Sequence, residues 1–206
     1  MTSPRLFVFE DMFKFNSIAM DPLVEVYSLP FVIPKMLEHP EMVLAVDSPD
    51  DRLIGFVLGT RDEDCDERIG DGKDCSWSHG HVSALAVDYK YRKLGIATRF
   101  MTTLRNMMDD QKDWYMDLYV REKNENAIRL YESLGYVKYS WMPMFYPDDN
   151  GYHMRLPLTR DVNRNCLDGI LVNKLFSFVN LVYYILIIYF TGLKKLIFGD
   201  RFSKKD

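Results

Sequence analysis

Arg92-Lys93-Leu94-Gly95-Ile96-Ala97 follows the apolar run Val82-Ser83-Ala84-Leu85-Ala86-Val87. It opens a stretch where Ile96, Phe100, Leu104 and Met107 recur on one helical face. A strand that feeds a helix leaves the first helical amides unpaired, and the helix dipole favours negative charge at that end. Gly95 lets a phosphate approach the backbone there, and Arg92 and Lys93 add positive charge. The turn therefore reads either as a pyrophosphate cradle or as an ordinary strand-to-helix turn.

Working outward from this turn, the chain alternates between periods of two and 3.6. Leu6–Phe9 reads as a short strand, Asp11–Met20 and Phe31–Glu38 as helices, and Met42–Val46 and Leu53–Thr60 as strands around a Ser48–Asp51 turn. Arg61–Ser76 is rich in acids and glycine and reads as a solvated loop; its acidic part, Asp62–Asp74, suggests no function. Trp77–Val87 is a strand, Gly95–Met108 a helix, Trp114–Val120 a strand and Ala127–Leu134 a helix that Gly135 ends. Tyr136–Trp141 and Tyr152–Leu156 close the pattern as strands around a Pro147–Gly151 turn. The expectation is one mixed α/β domain over 1–161, a central sheet flanked by helices, followed by a divergent tail over 162–206.

The 206 residues are 48% apolar and 14% aromatic, enough for a sizeable core, and a net charge of −4 argues against a generic nucleic-acid binder. Cys65, Cys75 and Cys166 give neither a disulfide framework nor a zinc pattern, which suits a reducing compartment. The first thirty residues hold acids and no long apolar run, so the amino end reads as cytosolic. Leu175–Leu193 is uncharged throughout, and its length approaches the roughly 20 residues of a membrane-spanning helix. It reads as a carboxyl-terminal membrane anchor, as an apolar helix buried against a partner or second copy, or as an extension without function.

The Arg-x-x-Gly-x-Ala pattern resembles the acetyl-CoA signature of the GNAT superfamily. Asn124-Glu125-Asn126-Ala127-Ile128-Arg129-Leu130-Tyr131-Glu132-Ser133-Leu134-Gly135-Tyr136 resembles that family's second signature. Outside these, Phe13-Lys14-Phe15-Asn16, Asp21-Pro22-Leu23, Glu25-Val26-Tyr27, His79-Gly80-His81-Val82-Ser83-Ala84-Leu85, Met154-Arg155 and Thr159-Arg160-Asp161 resemble the catalytic subunits of NatB-type N-terminal acetyltransferases over roughly 1–161. The resemblance implies a GNAT fold and transfer of acetyl from acetyl-CoA to the α-amine of proteins beginning Met-Asp, Met-Glu, Met-Asn or Met-Gln. It also implies a cytoplasmic, ribosome-associated enzyme that meets nascent peptides beside a large helical-repeat auxiliary subunit.

Residue by residue, the resemblance assigns acetyl-CoA to Val87, Arg92, Lys93, Leu94, Gly95, Ile96, Ala97 and Thr98, with Asn124 and Tyr131 beside it. Tyr131 is the donor to the leaving thiolate or, alternatively, a core tyrosine. Asn124 organises the helix start as an N-cap and helps hold the cofactor or a water. His81 and Ser83 alternate on a strand and are expected on one side with Leu85, bordering the substrate's second residue, where His81 can donate to its side chain. Ser83 stands where the family has threonine. Glu25 is expected to pair with the α-ammonium, Tyr27 to line the methionine pocket, and Tyr146 to close the site next to Phe145, where the family has a second tyrosine. The pair His79/His81 has no third ligand in view, so no metal is expected. Beside this enzyme stand two alternatives: a same-fold acetyltransferase with drifted specificity, and a catalytically weak or inactive paralogue that serves as a partner-binding module.

Overall fold

The computed structural model describes residues 3–14, 18, 28–65 and 76–168, with single helical residues at 170, 179, 182, 186 and 189. Its elements in chain order are β1 (Arg5–Leu6), a 3-10 turn Phe9–Phe13, α1 (Leu29–Glu38), β2 (Val43–Asp47), β3 (Leu53–Cys65) and β4 (Ser76–Val87). There follow α2 (Ile96–Asp110), β5 (Tyr115–Arg121), α3 (Glu125–Ser133), β6 (Val137–Tyr146), β7 (Asp149–Pro157) and a 3-10 turn Asn165–Leu167. The strands form one seven-stranded sheet in the order β1-β2-β3-β4-β5-β7-β6. Neighbours are antiparallel except β4 and β5, which run parallel from His79–Tyr115 to Val82–Leu118.

Both sheet faces are covered, which is why the central strands read as apolar runs and not as clean alternation. Ile54, Val57, Val82, Met116 and Leu118 turn to the face covered by α2 and α3 and join Phe100, Leu104, Met108 and Tyr131 in the larger core. Phe56, Leu58, Ala84 and Ala86 turn to the other face and meet Val32 of α1 with Phe7 and Met12. The apolar stripe Phe100, Met101, Leu104 and Met108 is the buried side of α2. Gly80 lets that helix lie close to β4, because a Cβ there would stand 2.8 Å from Met108 Cγ and Sδ.

α3 ends as the Gly-aromatic pair demands. Gly135 takes φ 96°, its amide donates to Glu132 O at 3.0 Å, and Tyr136 N donates to Tyr131 O at 3.0 Å. This paired cap brings Tyr136 back over Tyr131, ring centroids 5.8 Å apart.

Several expectations change. The described part of the first predicted helix is only the 3-10 turn Phe9–Phe13, and the strand before it shortens to Arg5–Leu6. Arg5 explains this: it pairs with Asp11 at 2.6 Å and with Asp47, while Asp11 accepts from Val8 N at 3.0 Å. The predicted loop Arg61–Ser76 is strand at both ends, as β3 and β4 stay paired out to Cys65 and Ser76. Arg61 grips the buried Asp113 through Nε and Nη2, and Trp77 stacks on Trp114 at 4.9 Å, so partners outside the segment override its polar composition. β6 and β7 likewise run longer than expected, and β7 begins at Asp149 within the predicted turn. Packing on the sheet continues past Asp161: Cys166 is buried, its carbonyl accepts from Arg155 at 3.0 Å, and Tyr139 donates to Asp168 O.

Within Leu175–Leu193 the description covers Val179, Val182, Leu186 and Tyr189, each helical and exposed. No helix among the described residues is long and apolar enough to cross a membrane.

Candidate active site

The parallel strands part after Val82 and Leu118. Beyond that pair, among the described residues, β4 runs on to Val87 bonded to β3 alone, and β5 to Arg121 bonded to β7 alone. A bulge drives the separation. Leu58 faces Ala84 and Gly59 faces Val82, so Ser83 is an extra residue on β4, and such a residue bends its strand and sharpens the twist. The result is a wedge-shaped opening at the carboxyl ends of two parallel strands, where open α/β sheets hold their ligands.

The bulge corrects one expectation. His81 lies opposite Thr60 and Leu85 opposite Val57, an odd offset along β3, so His81 and Leu85 point to opposite faces. Leu85 packs on the larger core, while His81 stays on the α1 side.

At the end of β4 the chain folds back on itself. Arg92 Nε donates to Val87 O at 3.0 Å, and Lys93 (φ 60°) and Gly95 (φ 79°) take left-handed backbone. Gly95 caps α2 without a side chain, and Arg99 N is the amide that bonds back to its carbonyl. The amides of Ile96, Ala97 and Thr98 therefore lie at the open helix start. A Cβ on Gly95 would meet nothing within 4 Å, so the turn is a cradle facing open space. Arg92, Lys93, Leu94 and Thr98 are exposed around it, and Val87 is buried beneath.

Tyr131 is 7% exposed and shares the larger core with Val82, Leu118 and Val120, residues of the two strands that part. Burial pushes its phenol well above the ordinary tyrosine value, and the nearby Tyr146 phenol adds to the shift. Tyr131 thus keeps its proton. Asn124 is the N-cap of α3, its Oδ1 accepting from Ala127 N at 3.2 Å. Tyr146 is half-buried, with the Arg121 guanidinium 4.4 Å from its ring centroid. Glu25 and Tyr27 lie outside the described residues.

The α1 face of the same strands carries a polar, aromatic layer. Asp117, 5% exposed, sits on β5 beside His81. Its Oδ1 lies 2.7 Å from His81 Nδ1 and its Oδ2 2.7 Å from His153 Nε2. Burial opposes ionisation of Asp117, but the bonds from His153 and His81 outweigh it and hold the carboxyl well below its usual range. Tyr119 stacks on His153 at 4.8 Å and on Phe145 at 4.7 Å, leaving Tyr119 and Phe145 as an exposed aromatic rim.

Sequence reasoning found His81 but missed Asp117, His153 and Tyr119. One signal was present: a carboxylate in the middle of the apolar strand Tyr115-Met116-Asp117-Leu118 needs a partner to be buried. Which partner it takes depends on the β5–β7 pairing and is absent from local pattern. Among the described residues no group of three or more His, Cys, Asp or Glu could hold a metal ion.

Comparison with known proteins gives the family. Residues 10–136 match the model of the Acetyltransferase (GNAT) family. The chain is 32% identical to the catalytic subunit NAA20 of the N-terminal acetyltransferase B complex of Arabidopsis thaliana, over 80% of this chain and 90% of that one. It is 33% identical to the corresponding subunit of Schizosaccharomyces pombe, over 81% and 91%. The fold matches the crystal structure of Chaetomium thermophilum Naa20 in complex with a bisubstrate analogue, with a TM-score of 0.71, 27% identity, and 79% and 90% of the two chains covered. The chain belongs to the GNAT acetyltransferase family and, within it, groups with the catalytic subunits of N-terminal acetyltransferase B complexes.

Proposed function

We propose that this chain transfers the acetyl group of acetyl-CoA to the α-amine of proteins that begin Met-Asp, Met-Glu, Met-Asn or Met-Gln. The observation that carries the proposal is the opening between β4 and β5, with an amide cradle at Gly95 on one side and the His81–Asp117 layer on the other. Solved relatives include a NatB complex bound to CoA and another bound to a bisubstrate inhibitor, which supports an acyl-CoA for the cradle and an auxiliary subunit as partner.

The reaction forms a bond from the amine nitrogen to the acetyl carbon, breaks the bond from that carbon to sulfur, and releases one proton from nitrogen. An α-amine with a pKa near 8 is about one-tenth neutral at pH 7, so positioning matters more than a strong base. The amides of Ile96, Ala97 and Thr98, with Arg92 and Lys93, hold the diphosphate, and Val87 and Leu94 flank it. A phenol held above its ordinary value cannot hand its proton fully to a thiolate whose conjugate thiol titrates near 8.5. Tyr131 therefore stabilises the leaving sulfur as a hydrogen-bond donor, and solvent completes the protonation. Asn124 fixes the start of the helix that carries Tyr131. His81 and Ser83 border the second residue of the substrate, and Glu25, Tyr27 and Tyr146 enclose its first.

The proposed setting is cytoplasmic, on nascent chains at the ribosome, with the segment 175–193 providing membrane association and with no direct nucleic-acid contact. The test is acetyl transfer read by mass spectrometry on Met-Asp and Met-Glu peptides against Ser- and Met-Leu-starting controls, with an auxiliary subunit supplied. Turnover confined to the first pair is the expected result. Turnover on the controls alone means drifted specificity, and no turnover on any peptide means a partner-binding module.

A further inference from the structure

His81 and His153 reach the two oxygens of one buried carboxylate, each at 2.7 Å. An ionised carboxylate only accepts, so both ring nitrogens facing it must donate. This fixes the proton of His81 on Nδ1 and that of His153 on Nε2. Nε2 of His81 has no bonding partner among the described residues, and about a fifth of the side chain is exposed. As neutral imidazole, His81 offers the substrate an acceptor, which suits an amide N–H of Asn or Gln. As imidazolium it offers a donor with a charge, which suits the carboxylate of Asp or Glu.

We propose that His153 is a specificity-determining positioning residue: by sharing Asp117 with His81, it sets how the enzyme divides its activity between acidic and amide second residues. This rests on the proposed NatB-type reading. The negative charge of Asp117 lies against His81 through one oxygen, and His153 draws on the same charge through the other. Removing the N–H of His153 leaves the whole carboxylate to His81 and biases its ring toward an acidic second residue. Removing the carboxylate does the reverse. Around this layer stand Asp62 on β3, His79 on β4, Tyr119 on β5, Tyr139 on β6 and Arg155 on β7, with Lys35 on α1 facing Asp62. Among the described residues Asp117 is the carboxylate in contact with either ring, so the two histidines compete for one charge.

The experiment compares kcat/KM on Met-Asp and Met-Asn peptides for the wild type, His153→Phe, His153→Gln and Asp117→Asn. Phenylalanine keeps the stacking on Tyr119 and loses the donor, whereas glutamine keeps a donor. The Met-Asp to Met-Asn ratio is expected to rise at least threefold in His153→Phe, to stay near wild type in His153→Gln, and to fall at least threefold in Asp117→Asn. Equal ratios in all four proteins overturn the inference while leaving the acetyltransferase reading intact; wild-type protein inactive on every peptide overturns that reading instead. Imidazole nitrogen chemical shifts of the wild type test the geometry without turnover. They are expected to show the His81 proton on Nδ1, and a neutral His81 protonated on Nε2 alone overturns the inference even if the variants fail to fold.

Discussion

Along β4 and β5, Val82, Met116, Leu118 and Val120 turn to one side of the sheet and join Phe100, Leu104 and Tyr131 in the larger core. On the same strands His79, His81, Tyr115, Asp117 and Tyr119 turn to the other side and form a layer of stacked rings around one carboxylate. The period of two divides the labour. The first side is apolar and anchors the helix whose start is the proposed diphosphate cradle. The second is polar and leaves His81 partly exposed, where the proposed reading seats the peptide. A bulge at Ser83 and a short parallel pairing let the two strands part between them.

The contrast can be broken from either side, and the largest expected effect lies on the polar one. Asp117→Ala removes two short bonds from a buried site and leaves two imidazoles without their acceptor. We expect a loss of about 3 kcal/mol of folding stability by denaturant titration. Acetyl-CoA affinity of the folded fraction should stay near wild type. Should that affinity fall with stability held, the two faces are not separate.

On the apolar side, Tyr131→Phe removes the proposed donor to the leaving sulfur. The expected drop in kcat is about 100-fold, or roughly 2.7 kcal/mol of barrier, with KM for peptide little changed. A variant at full rate makes Tyr131 a core residue and nothing more. Smaller is the effect of Gly95→Ala. Space is open around the new methyl, so the cost is backbone strain alone, about 1 kcal/mol, seen as a several-fold rise in KM for acetyl-CoA and none for peptide.

The smallest and most specific effect is in pH. Asp117 is held below its unfolded value, near 3.8, so its stabilisation is fully present above that pH and is lost as the pH falls through the lower folded value. The stability gap between wild type and Asp117→Asn should therefore narrow as the pH falls below about 4, as followed by urea unfolding. A gap that stays unchanged from pH 5 down to 2 would show that Asp117 is not held below its ordinary value.

Much of the apolar side can be read locally. The glycine turn, the α2 stripe, the Asn124 cap and the Gly135-Tyr136 stop are short-range patterns, and each appears where its spacing places it. The polar side resists such reading because its partners come from distant strands. His81 and Asp117 lie 36 residues apart, as do Asp117 and His153, and only the strand order joins them. The bulge defeated simple alternation for the same reason: counting by twos from His81 reaches Leu85 on the wrong face, since the extra residue is visible only against β3. The strand ends beyond Thr60 were hidden by acidic composition, which the distant partners Asp113 and Trp114 override.

Calorimetric titration of acetyl-CoA into the wild type, Asp117→Asn and Gly95→Val tests the division most directly. Saturable binding in the first two and its loss in the third is the result this account requires. Absence of binding to the wild type, with an auxiliary subunit present, or unimpaired binding to Gly95→Val, would contradict it.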